Sequence, residues 1–136
     1  MLILLSDGED TRSLLPFDDV LEGVRRSGVL VYTISVRTDD HGQIVAPRWQ
    51  MARLANDTGG RAVAVRDPAG LTQIYQDIGV ELLYLYRVGY VPSTPVRDGS
   101  WRAVSVRVPT KDLLIRTRSG YYAPRPPTKI PQKPAR

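Results

Sequence analysis

No cysteine occurs among the 136 residues, which excludes a disulfide framework, a thiolate metal centre and a cysteine nucleophile. Histidine is nearly as scarce. His41 stands alone, so an imidazole-rich zinc site or a Ser-His-Asp arrangement finds little support within one chain. No apolar run approaches the ~20 residues that a membrane-spanning helix needs. Residues 1–5 are too short for a signal-peptide core and lack a basic leader. Acids are missing from residues 125–136, which hold four bases and four prolines. With isoleucine as its only large apolar residue, that tail has little burial to offset ordering entropy and is expected to lack fixed structure.

What remains is ordinary globular material, 42% hydrophobic and 24% charged, enough for one domain or part of one. The net charge of +5 is unevenly spread: residues 1–40 carry −4, residues 41–124 carry +5, and the tail carries +4. A sequence pI of 9.8 invites a polyanion reading. The location of much of the excess in a proline-rich tail favours a solvated basic segment.

The chain opens on Met1-Leu2-Ile3-Leu4-Leu5, an uninterrupted apolar run of the kind expected for a strand buried on both faces of a parallel sheet. Ser6-Asp7-Gly8-Glu9-Asp10-Thr11 follows, placing a carboxylate where open α/β sheets bind their ligands. Pro16 pre-sets a helix whose Phe17, Val20, Leu21 and Val24 recur at helical spacing, with Gly28 as its C-terminal cap. Residues 29–36 read as a second buried strand, rich in β-branched side chains. A second helix is expected from Pro47 to Gly59-Gly60, with Met51, Leu54 and Ala55 inward. Residues 61–65 form a short third strand. Asp67 and Pro68 then open a third helix with the stripe Leu71, Ile74, Tyr75, Ile78 and Leu82. Beyond residue 83 the period changes to two: residues 84–90 read as a half-exposed strand, and residues 101–108 and 113–118 as an antiparallel hairpin. The fold expected is α/β, a partial doubly wound (Rossmann-like) parallel sheet with helices on its faces, plus a C-terminal strand and antiparallel hairpin.

Three blocks carry a resemblance: Leu4 to Thr11, Ser27-Gly28-Val29 feeding Tyr32-Thr33-Ile34, and Leu54-Ala55 to Thr58-Gly59-Gly60-Arg61. Together they are similar to the second half of a von Willebrand factor A domain. The ending, with Tyr86, Gly89-Tyr90, Pro92, Asp98-Gly99, Trp101-Arg102 and Arg118 to Pro124, resembles the A-domain-related bacterial family common in acidobacteria. The resemblance implies the carboxyl half of such a domain over residues 1–83, its strand-and-hairpin extension over 84–124, and the tail over 125–136. It also implies a metal-ion-dependent adhesion site, a non-enzymatic protein-binding role, and Mg²⁺ or Ca²⁺ bridging to a partner carboxylate. Asp7 is the position that matches the family's later aspartate ligand. The Asp-x-Ser-x-Ser loop of the family occurs nowhere in these 136 residues, so the site is expected to be incomplete and metal binding weak or absent.

Ser6, Glu9, Asp10, Asp39 and Asp40 are candidate contributors near Asp7, because the two parent strands run parallel and end on one edge. A turn with solvated acids is the plainer reading of the same residues. An Asp39-Asp40 acid–base dyad, or a hydrolase using Asp7 and Asp39, has little behind it. A phosphoacceptor receiver domain would need a lysine on that edge, and no lysine precedes Lys111. Gly59-Gly60 lies at the wrong end of its helix for a phosphate loop. The second functional reading is a polyanion or nucleic-acid contact through Arg97, Arg102, Arg107, Arg116, Arg118 and the tail. Tyrosines at 84–90 and 121–122 could stack on bases, although their alternation suits sheet packing better. In the family's strand order the first strand would sit mid-sheet with one neighbour absent. A protein partner, self-association or an amino-terminal half supplied in trans is therefore expected; nucleic-acid binding and membrane insertion are not.

Overall fold

The structure is a computed structural model that describes residues 1–6, 13–36, 49–93, 96–110 and 113–126. Strands β1 (Leu2–Ser6), β2 (Val31–Val36) and β3 (Ala62–Val65) form a parallel sheet in that order, separated by helices α1 (Phe17–Ser27) and α2 (Trp49–Thr58). A 3₁₀ turn over Pro68–Gly70 leads into α3 (Leu71–Leu83), and β4 (Trp101–Ala103) pairs antiparallel with β5 (Gly120–Tyr122). The chain is therefore mixed α/β, as the alternation of periods implies.

The sheet's two faces are built differently because β2 alternates two kinds of side chain. Tyr32 and Ile34 are buried with Val65, Ile74 and Ile78, and Ile3, Val36, Val63, Leu71 and Leu82 pack around them. This is the main core, between the sheet and α3. On the other face Thr33 and Ser35 stand in register with the small residues Ala62 and Ala64. Small side chains there let α2 approach closely, and Thr33 Oγ1 donates to the Met51 carbonyl at 3.2 Å. Met51 and Ala55 are buried beneath α2, and α1 contributes Leu21.

Helix ends follow their local chemistry. Gly28 terminates α1 at φ 67°, in the left-handed region where glycine carries no Cβ penalty. After α2 the Gly59 amide donates to Asn56 and the Gly60 amide to Ala55 (3.2 and 2.9 Å), a Schellman closure with Gly59 at φ 87°. Asp67 caps the 3₁₀ turn, accepting from the Ala69 amide at 2.8 Å, so α3 begins at Leu71 and not at Pro68.

Several expectations change. β1 pairs with β2 and with no other strand among the described residues, the open side expected of a strand with one neighbour absent, but its faces are less covered than those of a doubly buried strand: Leu2 and Leu5 remain 49% and 48% exposed. Tyr75 lies outside the α3 stripe and is exposed. Residues 85–90 form no ladder among the described residues, leaving Tyr86 and Val88 largely exposed. The hairpin pairs farther from its turn than expected: Trp101 opposes Tyr122, Arg102 opposes Tyr121, Ala103 opposes Gly120, and Val104 N–H reaches Ser119 O at 2.9 Å. The start of α2 before Trp49 and the tail at 127–136 lie outside the described residues.

Candidate functional site

Two opposite edges of the parallel sheet carry the chemistry. At the carboxyl edge, Ser6 stands in register with Ser35. β1 and β2 therefore end on the same side of the sheet, as a parallel pair dictates, and in sequence the runs with Asp7, Glu9 and Asp10 and with Asp39, Asp40 and His41 follow those two ends. Those acids themselves lie outside the described residues.

The described residues at this edge offer neutral oxygens. Ser35 is fully buried and its hydroxyl has no hydrogen-bond partner among the described residues; the Gln50 Oε1, in the first turn of α2, is likewise buried and unpartnered among them. An orphaned hydroxyl in such a place normally costs on the order of 1–3 kcal/mol, which marks the spot as unusual. No cluster of three or more His, Asp or Glu side chains forms among the described residues. Mg²⁺ takes six oxygens and Ca²⁺ six to eight, with carboxylates supplying the charge. Neutral oxygens from Ser6, Ser35 and Gln50 do not fit a closed cation site, and Asp7 would add one carboxylate.

The amino edge is basic, and most of its arginines are paired, although the buried Arg61 Nε has no hydrogen-bond partner among the described residues. Here the C-termini of α1, α2 and α3 meet the returning arm of the hairpin. Asp57, in the last turn of α2, accepts from Arg25 Nε (3.1 Å) and Nη2 and from Arg53 Nε (3.3 Å). Its main-chain carbonyl accepts from the Ser119 amide at 3.1 Å. Arg25 lies 4.8 Å from the Trp101 ring centroid and Arg26 3.8 Å from that of Tyr122, while the two rings meet edge to face at 4.9 Å. The hairpin is thus clamped to α1 and α2 by stacked cations and aromatic rings.

Glu81, near the end of α3, is the second hub. It binds Arg61 at 2.9 Å and Arg116 at 2.5 Å, and accepts from the Tyr32 hydroxyl at 3.2 Å. Burial raises the Tyr32 phenol above its ordinary pKa, and the Glu81 carboxylate adds to the shift. Sequence reasoning passed over Asp57 and Glu81. One signal was available: an acid in a helix's last turn opposes the macrodipole and is stable there only with cations beside it.

Three of the five hairpin arginines are used internally. Arg116 holds Glu81, Arg118 Nη2 donates to the Gly28 carbonyl at 3.0 Å, and Arg102 reaches Asp98 at 3.1 Å. Arg97 and Arg107 are exposed and form no ion pair among the described residues. Tyr90 meets Tyr121 edge to face at 6.3 Å. A shallow cavity of about 140 Å³ lies beside that ring, lined by Pro92, Val96, Arg97, Arg102, Ala123 and Pro124.

No family model matches the chain, and no curated protein does. Among solved structures it is similar to an uncharacterized membrane spanning protein from Vibrio fischeri, at 22% identity over 59% of this chain and a TM-score of 0.48. The chain spans 45% of that protein's length. No helix among the described residues is long and apolar enough to cross a membrane.

Proposed function

We propose that this chain is a non-enzymatic protein-interaction module of the von Willebrand A type, whose contact surface is the carboxyl edge of the parallel sheet. One observation carries the reading. The Ser6–Ser35 register ends β1 and β2 on the same edge, beside a buried Ser35 hydroxyl with no hydrogen-bond partner among the described residues, and in sequence both acid-bearing segments follow directly from those strand ends. Three of the five arginines named for the polyanion alternative, Arg102, Arg116 and Arg118, are committed to Asp98, Glu81 and Gly28, which counts against it. In this reading Asp7 is the family-type cation ligand and Ser6 its neutral neighbour. Glu9, Asp10, Asp39 and Asp40 supply negative field that raises local cation concentration.

The donor count sets the strength. With one matched carboxylate and no Asp-x-Ser-x-Ser loop in these residues, Mg²⁺ or Ca²⁺ should bind no more tightly than about millimolar. Isothermal titration of the chain and of Asp7→Ala tests that limit. Micromolar affinity lost in the variant would show a completed shell. Retention of the chain on immobilised carboxylate-bearing peptides, at millimolar Mg²⁺ and again with EDTA, tests the interaction itself. Chelator-sensitive retention that Asp7→Ala removes is expected. Binding to an oligonucleotide that falls with salt and ignores EDTA would transfer the function to the arginines.

A further inference from the structure

We propose that the cavity on the outer face of the hairpin captures the carboxyl-terminal residue of a partner polypeptide, with an apolar side chain in the cavity and the terminal carboxylate on Arg97. Cross-strand register fixes which face this is. Trp101 opposes Tyr122, and their rings stack with Arg25 and Arg26 of α1. The next pair, Arg102 and Tyr121, points to the other side of the ladder, because successive strand residues alternate. Arg102, Tyr121 and Ala123 line the cavity together with Pro92, Val96 and Arg97. The hollow is thus built without any residue of the parallel sheet, on the hairpin face turned away from α1.

Size and lining select the apolar part of the occupant. The volume is about 140 Å³, close to the roughly 150 Å³ that accepts a benzene ring in an apolar cavity. One aromatic ring or branched aliphatic side chain fills it. The Tyr121 ring forms part of the wall and is braced edge to face by Tyr90. Charge selects the rest. Asp98 is the only acid in residues 84–111, and it is spent locally: Oδ1 accepts from the Ser100 amide at 2.9 Å and Oδ2 from Arg102 at 3.1 Å. Arg97 is exposed and forms no ion pair among the described residues. Arg125 follows the lining Pro124 and lies against Gly99, where a Cβ would come 2.8 Å from the Arg125 Cγ. It too forms no ion pair among the described residues. Two uncompensated guanidiniums beside an apolar hollow complement an apolar group that carries a carboxylate, which an arginine fork can hold through two bonds. A polypeptide end suits the surroundings better than a free acid. Tyr90 and Val91, 59% and 90% exposed, lead into Pro92 and offer apolar contact to the residues before the terminus. The proposal uses neither Asp7 nor a cation, so it stands or falls apart from the carboxyl-edge reading.

The test titrates the full chain, in EDTA, into a glycine-serine peptide that carries fluorescein at its amino end and phenylalanine at its carboxyl end, and follows anisotropy. Saturable binding is expected. Amidating the terminus should weaken it roughly tenfold or more, the loss of one charge-assisted pair. A terminal glycine in place of phenylalanine should cost roughly tenfold as well, since the ring is no longer buried. Arg97→Gln, at an exposed position, should match the amide's loss with an unchanged circular dichroism spectrum, and Asp7→Ala should leave binding as it is. No saturation by about 1 mM overturns the proposal. So does equal binding of the acid and amide peptides, equal binding of the phenylalanine and glycine ends, or an Arg97→Gln chain that binds like the parent. Phenylpropionate that displaces the peptide at equal concentration would make the site one for free acids and overturn the polypeptide assignment. Displacement by a short oligonucleotide at equal concentration would make the arginines a polyanion surface and overturn it likewise.

Discussion

Replacing Asp57 with alanine should loosen the hairpin from the helices, and the size of the effect can be worked out. The Asp57 side chain is 13% exposed and that of Arg25 21%, so this pair sits largely out of water. Arg53, at 53% exposure, is a surface partner and contributes little. Losing the bonds from Arg25 costs about 1.5–3 kcal/mol, as charge-assisted bonds do. Removing an acid from the last turn of α2 returns about 0.3–1 kcal/mol of macrodipole repulsion. The net loss is about 1–2 kcal/mol, which lowers the thermal midpoint by roughly 4–8 °C for a chain of this length. The main-chain bond from Ser119 to Asp57 survives the substitution, so β4 and β5 stay attached. Urea unfolding followed by Trp fluorescence gives the midpoint, and a cycle with Arg25→Leu isolates the pair. Coupling of about 1–2 kcal/mol is expected. Coupling below about 0.3 kcal/mol, the noise of additivity, would mean that the clamp rests on stacking against Trp101 and not on the ion pair.

A pair of glycines makes a sharper contrast. A Cβ on Gly60 would fall inside the van der Waals shell of the Val31 carbonyl, whereas a Cβ on Gly79 meets nothing within 4 Å. Gly60→Ala should cost about 3 kcal/mol or more by forcing β2 and the α2 exit apart, and Gly79→Ala should stabilise α3 by about 0.5–1 kcal/mol; equal midpoints for the two variants would refute the close approach. The Tyr32 phenol keeps its proton to higher pH in the folded chain than its ordinary value of 10.0. Its stabilising effect is full below the unfolded value and lost as pH rises through the folded one. Tyr32→Phe should therefore flatten the fall in stability above pH 10.0, and an unchanged alkaline profile in urea titrations would show that Tyr32 is not the group responsible.

Local signals in the sequence already determined much of this chain. Helical spacing, Gly28 and Gly59 as left-handed caps, and the β-branched run over residues 31–36 each depend on neighbours within a few positions, and each appears as expected. The parallel order of strands follows from alternation, and with it the shared edge at which β1 and β2 end. Burial could not be read the same way. The apolar run of residues 1–5 has the composition of a central strand, yet a strand's burial depends on what the rest of the chain lays beside and over it, and among the described residues β2 alone pairs with β1. Tyr75 shares the helical spacing of Ile74 and Ile78 and still faces water, because α3 meets the sheet along a stripe too narrow to include it. The hairpin arginines looked like a free basic surface in one dimension. Only the tertiary structure set Arg116 against Glu81 and Arg118 against the α1 terminus, since those pairs join residues 35 and 90 positions apart. Charge along a chain records what could attract; whether it is already spent is decided by packing between distant segments.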